Sequence, residues 1–146
     1  MLSSDVDLIW RVAAKFYRLI IVDTGNDESD PVWSQVVERA DQIVVPTTTR
    51  RDHAEAGAVL LKALGRRDEH CRKLAKKAVV VVTQADPKAS AATLASITNG
   101  FTKFTKEVVT IPYDPAIVDG ALQWEALQAS TRRAWLRAAA AVARKL

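Results

Sequence analysis

The sequence predicts an α/β fold, in which a parallel sheet of about four strands is layered between helices in a single domain, residues 1–146. Three observations predict it. Short apolar runs rich in β-branched residues are too short for stable helices, segments with helical apolar spacing separate them, and the linkers are as short as crossovers between parallel strands allow. The predicted strands lie at 18–23, 42–46, 78–82 and 107–111.

The helices are predicted from apolar spacing together with capping and breaking residues. Asp30 followed by Pro31 indicates an N-cap with proline at the first helical position. Gly65 ends a long helix, and Gly100 weakens the helix that contains it. The predicted helices lie at about 5–16, 31–40, 51–64, 66–77, 90–104 and 131–145, and Asp114 with Pro115 opens a short one.

Positive charge is concentrated in two stretches of the chain. Residues 50–77 carry nine basic and four acidic side chains, and residues 131–146 carry five basic and no acidic ones. These stretches are either solvated helix faces or surfaces for nucleic acid or an acidic membrane, and the sequence leaves both open. The single cysteine excludes an internal disulfide, and no apolar run is long enough to cross a bilayer. We therefore expect a cytoplasmic protein.

Polar residues follow each predicted strand at its carboxyl end. In a parallel sheet these ends share one edge, so the polar groups should converge there on a ligand. A carboxylate such as Asp23 suits a hydrated Mg²⁺, and Asp86 can accept hydrogen bonds from the N–H groups of a purine. The alternative is that these are ordinary turn residues after core strands. The candidate site residues are Asp23, Thr24, Gly25, Thr83, Asp86, Pro112, Tyr113 and Asp114.

Four segments resemble motifs of the ParA/MinD group of deviant-Walker P-loop ATPases, in the family's order and spacing. Residues 17–25 (YRLIIVDTG) resemble its Walker B segment, and residues 40–49, 79–86 and 108–117 resemble the segments that follow it. The resemblance implies a Rossmann-like P-loop NTPase fold, of which this chain would be the C-terminal part. By the same resemblance Asp23 would act near Mg²⁺, with Thr24 and Gly25 leading into the switch II loop. The base pocket would be lined by Thr83, Asp86, Pro112, Tyr113 and Asp114.

The chain departs from this family in the loop that holds the phosphates of ATP. No G-x-x-x-x-G-K-[ST] pattern occurs, and none of the five glycines precedes a lysine. Since phosphoryl transfer depends on that loop, we do not expect the chain to hydrolyse ATP by itself. The resemblance implies a fragment or truncated relative of an ATPase that, with ATP and Mg²⁺, dimerises and positions plasmids, chromosomes or division sites. The alternative is a non-enzymatic interaction module that binds a complete ATPase partner or DNA.

Partners are also implied by the resemblance. In ParA proteins, basic surface residues hold DNA without sequence preference. By the resemblance, Arg50 and Arg51 would do so here. Without the strand of the phosphate loop, one or both of the strands at 18–23 and 42–46 should have unpaired backbone groups. We expect this gap to close, to be filled by another chain, or to drive self-association. For the basic C-terminal helix, packing against the sheet is favoured over binding to a membrane, because its apolar face is mainly alanine.

Overall fold

The computed structural model describes residues 3–25, 27–118 and 123–146. The chain divides into two compact units, Met1–Ala40 and Asp41–Leu146. Each unit has its own buried residues and is described by itself.

The first unit contains two helices, α1 (Ser3–Phe16) and α2 (Pro31–Arg39). Both were predicted, and so was the cap of α2, where the Val32 N–H donates to Oδ1 of Asp30 at 2.8 Å. An ion pair joins Asp7 of α1 to Arg39 of α2. The buried apolar residues of this unit are Val6, Trp33, Val36 and Val37.

The strand predicted at 18–23 is wrong for this structure. Its backbone forms no strand, and its apolar side chains are largely exposed, Ile21 by 86%. A strand exists only when a neighbour receives its hydrogen bonds, and among the described residues no strand pairs with this segment. An apolar run of β-branched residues therefore does not by itself form a strand.

The second unit is an α/β layer structure around three parallel strands in the order β1-β2-β3. The predicted fold class is confirmed, with three strands instead of about four in the described part of the chain. The elements run in chain order as β1 (Val44–Thr48), α3 (Arg51–Leu64), α4 (Glu69–Lys77), β2 (Val79–Thr83), α5 (Ala91–Phe101), β3 (Glu107–Ile111), α6 (Pro115–Val118), a 3-10 turn (Trp124–Ala126) and α7 (Ala129–Ala143).

Pro46 lies inside β1 and does not end it, contrary to the prediction. The Val79 N–H donates to the Ile43 carbonyl, and the Thr49 N–H donates to the Thr83 carbonyl. In a parallel strand, alternate residues form their backbone hydrogen bonds with opposite neighbours. The N–H and C=O groups of the odd-numbered residues of β1 therefore point to β2, and those of the even-numbered residues point away from the sheet. Pro46 needs no N–H partner there, so an edge strand tolerates it.

Helices cover the sheet on both faces. On one face α7 packs against β2 and β3, in a buried cluster formed by Val79, Val81, Ile111, Ala134, Ala138 and Ala141. On the other face α3 lies close to β1 and to Phe101 of α5, through Gly57. The apolar spacing of the last helix predicts one inward stripe formed by Trp135, Ala138, Ala139, Val142 and Leu146. Ala138 is buried and Trp135 and Val142 are half-buried, but Ala139 and Leu146 are exposed.

Candidate functional site

The carboxyl ends of the three strands are joined at one edge of the second unit. The Thr49 N–H donates to the Thr83 carbonyl at 3.1 Å, and the Gln84 N–H donates to the Ile111 carbonyl at 2.9 Å. The Ala85 N–H approaches Oγ1 of Thr49 at 3.4 Å. The three segments that leave the strands therefore begin from fixed positions, and their polar groups lie side by side.

The loop after β2 is held by its own polar side chains. Oδ1 of Asp86 accepts the Lys88 N–H at 2.7 Å, and Nε2 of Gln84 donates to the Ala89 carbonyl at 3.3 Å. Asp86 is exposed, and among the described residues no group donates to its Oδ2. One carboxylate oxygen of a shaped loop thus remains available to a ligand beside the half-buried Thr83.

Asp114, after β3, is engaged with its own chain. Its Oδ1 accepts the Ala116 N–H at 3.1 Å and its Oδ2 accepts the Gln128 N–H at 2.8 Å. The side chain is only 3% exposed, and the Gln128 N–H is the main cause that lowers the pKa of Asp114. Asp114 therefore fastens the start of α6 to the segment before α7, next to the half-buried Pro112 and Tyr113.

The arginines that begin α3 differ in their surroundings. Nε and Nη2 of Arg50 donate to the two carboxylate oxygens of Asp52, at 3.2 and 2.8 Å. This hydrogen bonding is the main cause that lowers the pKa of Asp52 to about 2. Arg51 is exposed, and no ion pair to it occurs among the described residues. Of the two, Arg51 is thus the freer positive charge for a phosphate group.

Asp23, Thr24 and Gly25 belong to the first unit and form a tight turn. Oδ1 of Asp23 accepts the Gly25 N–H at 3.0 Å, and Gly25 has a φ of +64°, a conformation that glycine adopts without strain. Asp23 and Thr24 lie at the rim of a cavity of about 160 Å³. Its other lining residues are mostly apolar, including Val6, Trp10, Val22, Val32 and Val36.

A Mg²⁺ site at Asp23 would depend on one carboxylate. In residues 3–25, 27–118 and 123–146, no group of three or more histidine, cysteine or acidic side chains is arranged to hold a metal ion. Mg²⁺ commonly keeps several waters and takes one or two carboxylates together with substrate phosphates. A magnesium ion at Asp23 would therefore take its other ligands from water or from substrate phosphates.

Sequence reasoning identified the strand ends but not the residues that hold them. Oγ1 of Thr49 accepts the Ala85 N–H, and the side chain of Gln84 donates to the Ala89 carbonyl. Both residues directly follow a strand, as the predicted polar turn residues do. No sequence signal distinguished them from their neighbours. The apolar helical position of Trp124 predicts a core residue, but in the structure Trp124 is 44% exposed.

Within the part of the chain that the structure describes, no helix has the length and apolar character needed to cross a membrane. Comparisons of the chain with protein-family models, with curated proteins and with solved structures find no match.

Proposed function

We propose that the chain is a relative of the ParA/MinD ATPases that carries the Walker B and base-side half of a nucleotide site, binds a purine base and does not hydrolyse ATP by itself. The observation that carries this proposal is the joined carboxyl edge of the second unit, with Oδ2 of Asp86 unoccupied among the described residues. Ligands of open parallel sheets bind at this edge.

The loop geometry at Asp86 supports base recognition. Oδ1 accepts the Lys88 N–H at 2.7 Å, which holds the carboxylate in the turn and leaves Oδ2 for a ligand. A purine offers amino or ring N–H donors to such an oxygen, and a hydrogen bond to a charged acceptor is among the stronger ones. Four segments in the family's order agree with this assignment.

The phosphates of ATP would contribute little to binding. The sequence has no glycine-rich loop followed by lysine, so no ring of backbone N–H groups surrounds the phosphates. We therefore expect adenosine and ATP to bind this chain with similar affinity, and Mg²⁺ to change the affinity little.

Calorimetric titration tests this proposal. Adenosine, ATP and Mg²⁺-ATP would each be titrated, up to millimolar ligand, into the wild-type chain and into Asp86→Ala and Asp86→Asn. Asn keeps an acceptor for the Lys88 N–H but replaces Oδ2 by an amino group, so both variants should lose binding while Asn retains the turn. Binding to wild type and to both variants alike would overturn the role of Asp86, and absence of binding to wild type would overturn the proposal.

The role of Asp23 is tested separately. Asp27 is a matched control, because it is also exposed and also accepts a backbone N–H two residues on, from Ser29 at 3.0 Å. Because we expect Mg²⁺ to change the affinity little, Asp23→Ala and Asp27→Ala should both leave the affinities for adenosine and Mg²⁺-ATP nearly unchanged. A loss of Mg²⁺-ATP affinity in Asp23→Ala alone would instead assign Asp23 a place near Mg²⁺, as in the family. Equal weakening by both substitutions would point to a structural effect on the first unit.

A second candidate function is a non-enzymatic interaction module that binds a complete ATPase partner. It is favoured by the apolar segment after α1, where Leu19 is 56% and Ile21 86% exposed. Contiguous exposed apolar surface commonly marks a protein contact. Nucleotide binding by the isolated chain would favour the first function. Capture of a complete ParA-type ATPase by the wild-type chain, but not by Ile21→Asp, would favour the second.

A further inference from the structure

We propose that two copies of this chain exchange strands, with residues 19–23 of each copy pairing along the open edge of β3 in the other. This inference does not depend on nucleotide binding. The same chain has both parts of the contact, a strand donor at 19–23 and a strand acceptor at the edge of β3.

The donor is the apolar segment at 19–23. It is five residues long, has β-branched residues at three positions, and forms neither helix nor strand. Ile20 is half-buried and the other four residues are exposed, with Ile21 the most exposed of the large apolar side chains, at 86%. A segment with four successive apolar residues and no backbone hydrogen bonds among the described residues has the character of a strand that lacks its sheet.

The acceptor is the outer edge of β3. The Gln84 N–H donates to the Ile111 carbonyl, so the odd-numbered residues of β3 face β2, and Val108 and Thr110 face outward. Among the described residues no strand pairs with that side. Both outward residues have an N–H group, so the edge offers donors as well as acceptors to an added strand.

The opposite edge of the sheet is less suitable. There the even-numbered residues of β1 face outward, and the central one is Pro46, which has no N–H to donate. A proline at this position is one of the means by which proteins block strand addition. β3 has no proline among its five residues, so it is the edge that we assign.

The cleft beside β3 offers apolar and positively charged groups to the donor. It has a volume of about 370 Å³ and lies between Glu107–Thr110 and the face of α7 that carries Arg137, Ala140, Ala141 and Arg144. Glu107 is within 4 Å of Arg144 and Lys145, at 3.7 and 3.8 Å, whereas no ion pair to Arg137 occurs in the described residues. The alanines admit apolar side chains, and Arg137 suits a segment that ends in Asp23.

Reciprocal exchange gives a closed two-fold dimer, because each copy both donates and accepts. The experiment measures molecular mass by light scattering after gel filtration, across a range of loading concentrations. Wild type should form a concentration-dependent dimer. Ile21→Asp removes the donor and Arg137→Glu reverses the charge at the acceptor, and we expect each variant alone to lose most of the dimer.

Two control variants make the same kinds of surface change as Ile21→Asp and Arg137→Glu, but outside the proposed contact. Val59→Asp places a carboxylate on α3 at an exposed apolar residue, 52% exposed, and Arg133→Glu reverses an exposed charge on α7. Both should remain dimeric. Circular dichroism establishes that each variant is folded, and Leu19→Asp replaces Ile21→Asp if the latter is not.

A mixture of variants makes the test decisive. The Ile21→Asp chain keeps its acceptor and the Arg137→Glu chain keeps its donor, so the mixture should form a dimer joined by one exchanged strand. In hydrogen exchange, the Val108 and Thr110 amides should be protected in the dimer and not in the monomer. A monomeric wild type at all concentrations would overturn the proposal. The proposal would also be overturned if the two control variants dimerised as weakly as Ile21→Asp, or if the mixture of Ile21→Asp and Arg137→Glu did not associate.

Discussion

Gly57 of α3 lies so close to Phe101 of α5 that a Cβ atom at Gly57 would be 3.3 Å from Cζ of Phe101. The same Cβ would also be 3.3 Å from Cγ1 of Val45 in β1. Phe101 is only 2% exposed and Val45 only 3%, so neither side chain can turn into solvent. Glycine at this position allows the helix, the strand and the aromatic ring to meet.

We expect Gly57→Ala to lower the free energy of unfolding by about 1–3 kcal/mol, because overpacking of a filled core outweighs the gain in helix propensity. Gly100 is the matched control, since it also lies in a helix but a Cβ there would meet nothing within 4 Å. Gly100→Ala should raise the free energy of unfolding by up to about 1 kcal/mol. Urea denaturation measures both. Equal stabilisation by the two substitutions would contradict the close contact.

Two buried threonines differ in whether their hydroxyl groups are paired. Oγ1 of Thr47, in β1, is buried and has no hydrogen-bond partner among the described residues. Oγ1 of Thr105 donates to the Ala78 carbonyl and accepts the Glu107 N–H at 3.2 Å. Both residues are nearly fully buried, 5% and 3% exposed.

Thr47→Val should therefore raise the free energy of unfolding by about 1 kcal/mol, because valine has nearly the same shape and no group to desolvate. Thr105→Val should lower it by about 1–3 kcal/mol, since the Glu107 N–H loses its acceptor. Thermal and urea denaturation of the two variants beside wild type measure this contrast. A loss of stability in Thr47→Val similar to that in Thr105→Val would indicate a partner for the Thr47 hydroxyl.

Features that depend on neighbouring residues were predictable from the sequence. The bounds of α3 and β3, the cap at Asp30 and the helix opened by Pro115 agree with the structure. Each is fixed by apolar spacing or by a cap within a few residues. In contrast, Leu19–Val22 has the composition of a strand and forms none, because pairing depends on residues distant in sequence.

The sequence also predicted where the candidate site lies, but not which of its side chains are engaged within the fold. Parallel strands place their carboxyl ends together, so the edge formed by Thr49, Thr83 and Ile111 followed from the order of the elements. The engagement of Asp114 did not follow, because its partner Gln128 lies 14 residues away, beyond a segment without a clear pattern. Composition places a carboxylate at an edge, but the fold decides whether its oxygens are free.

The stability of the second unit should fall in acid because of carboxylates that are hydrogen-bonded in the folded state. The pKa of Asp114 is lowered, chiefly by the Gln128 N–H, and that of Asp52 is lowered to about 2, chiefly by Arg50. A lowered folded-state pKa contributes stability that is complete above the unfolded-state pKa, about 3.9, and is lost as pH falls through the folded-state value. The loss should therefore occur between about pH 4 and about pH 2.

Asp114→Asn tests this directly, since the uncharged side chain cannot titrate. At neutral pH we expect the variant to unfold at a lower urea concentration than wild type, because both backbone N–H groups lose a charged acceptor and one of them keeps no acceptor at all. As the pH falls below about 4, the two midpoints should approach each other. A difference between the midpoints that stays constant down to pH 2 would show that the charge of Asp114 contributes nothing.

Cys71 and Asp68 are joined by two hydrogen bonds at the start of α4. The Cys71 N–H donates to Oδ1 of Asp68 at 2.8 Å, and Sγ of Cys71 donates to Oδ2 at 3.4 Å. The thiol has no exposed surface, and burial is the main cause that raises its pKa. Since the thiolate is the reactive form, the folded protein should protect this cysteine from thiol reagents.

We expect a chromogenic disulfide reagent to label Cys71 slowly in the folded chain and rapidly in urea, so that labelling in buffer reports opening of the helix. Asp68→Ala removes the cap of α4 and should speed labelling in buffer by roughly five- to tenfold, because the first turn opens more often. Asp68→Asn is the matched control, since asparagine caps a helix about as well as aspartate and should label at nearly the wild-type rate. Each rate is compared with that of the same variant in urea, which removes differences in intrinsic thiol reactivity. Folded wild type that labels as fast as the unfolded chain would contradict the burial of Cys71, and equal rates for the Ala and Asn variants would contradict the role of the Asp68 carboxylate as a cap.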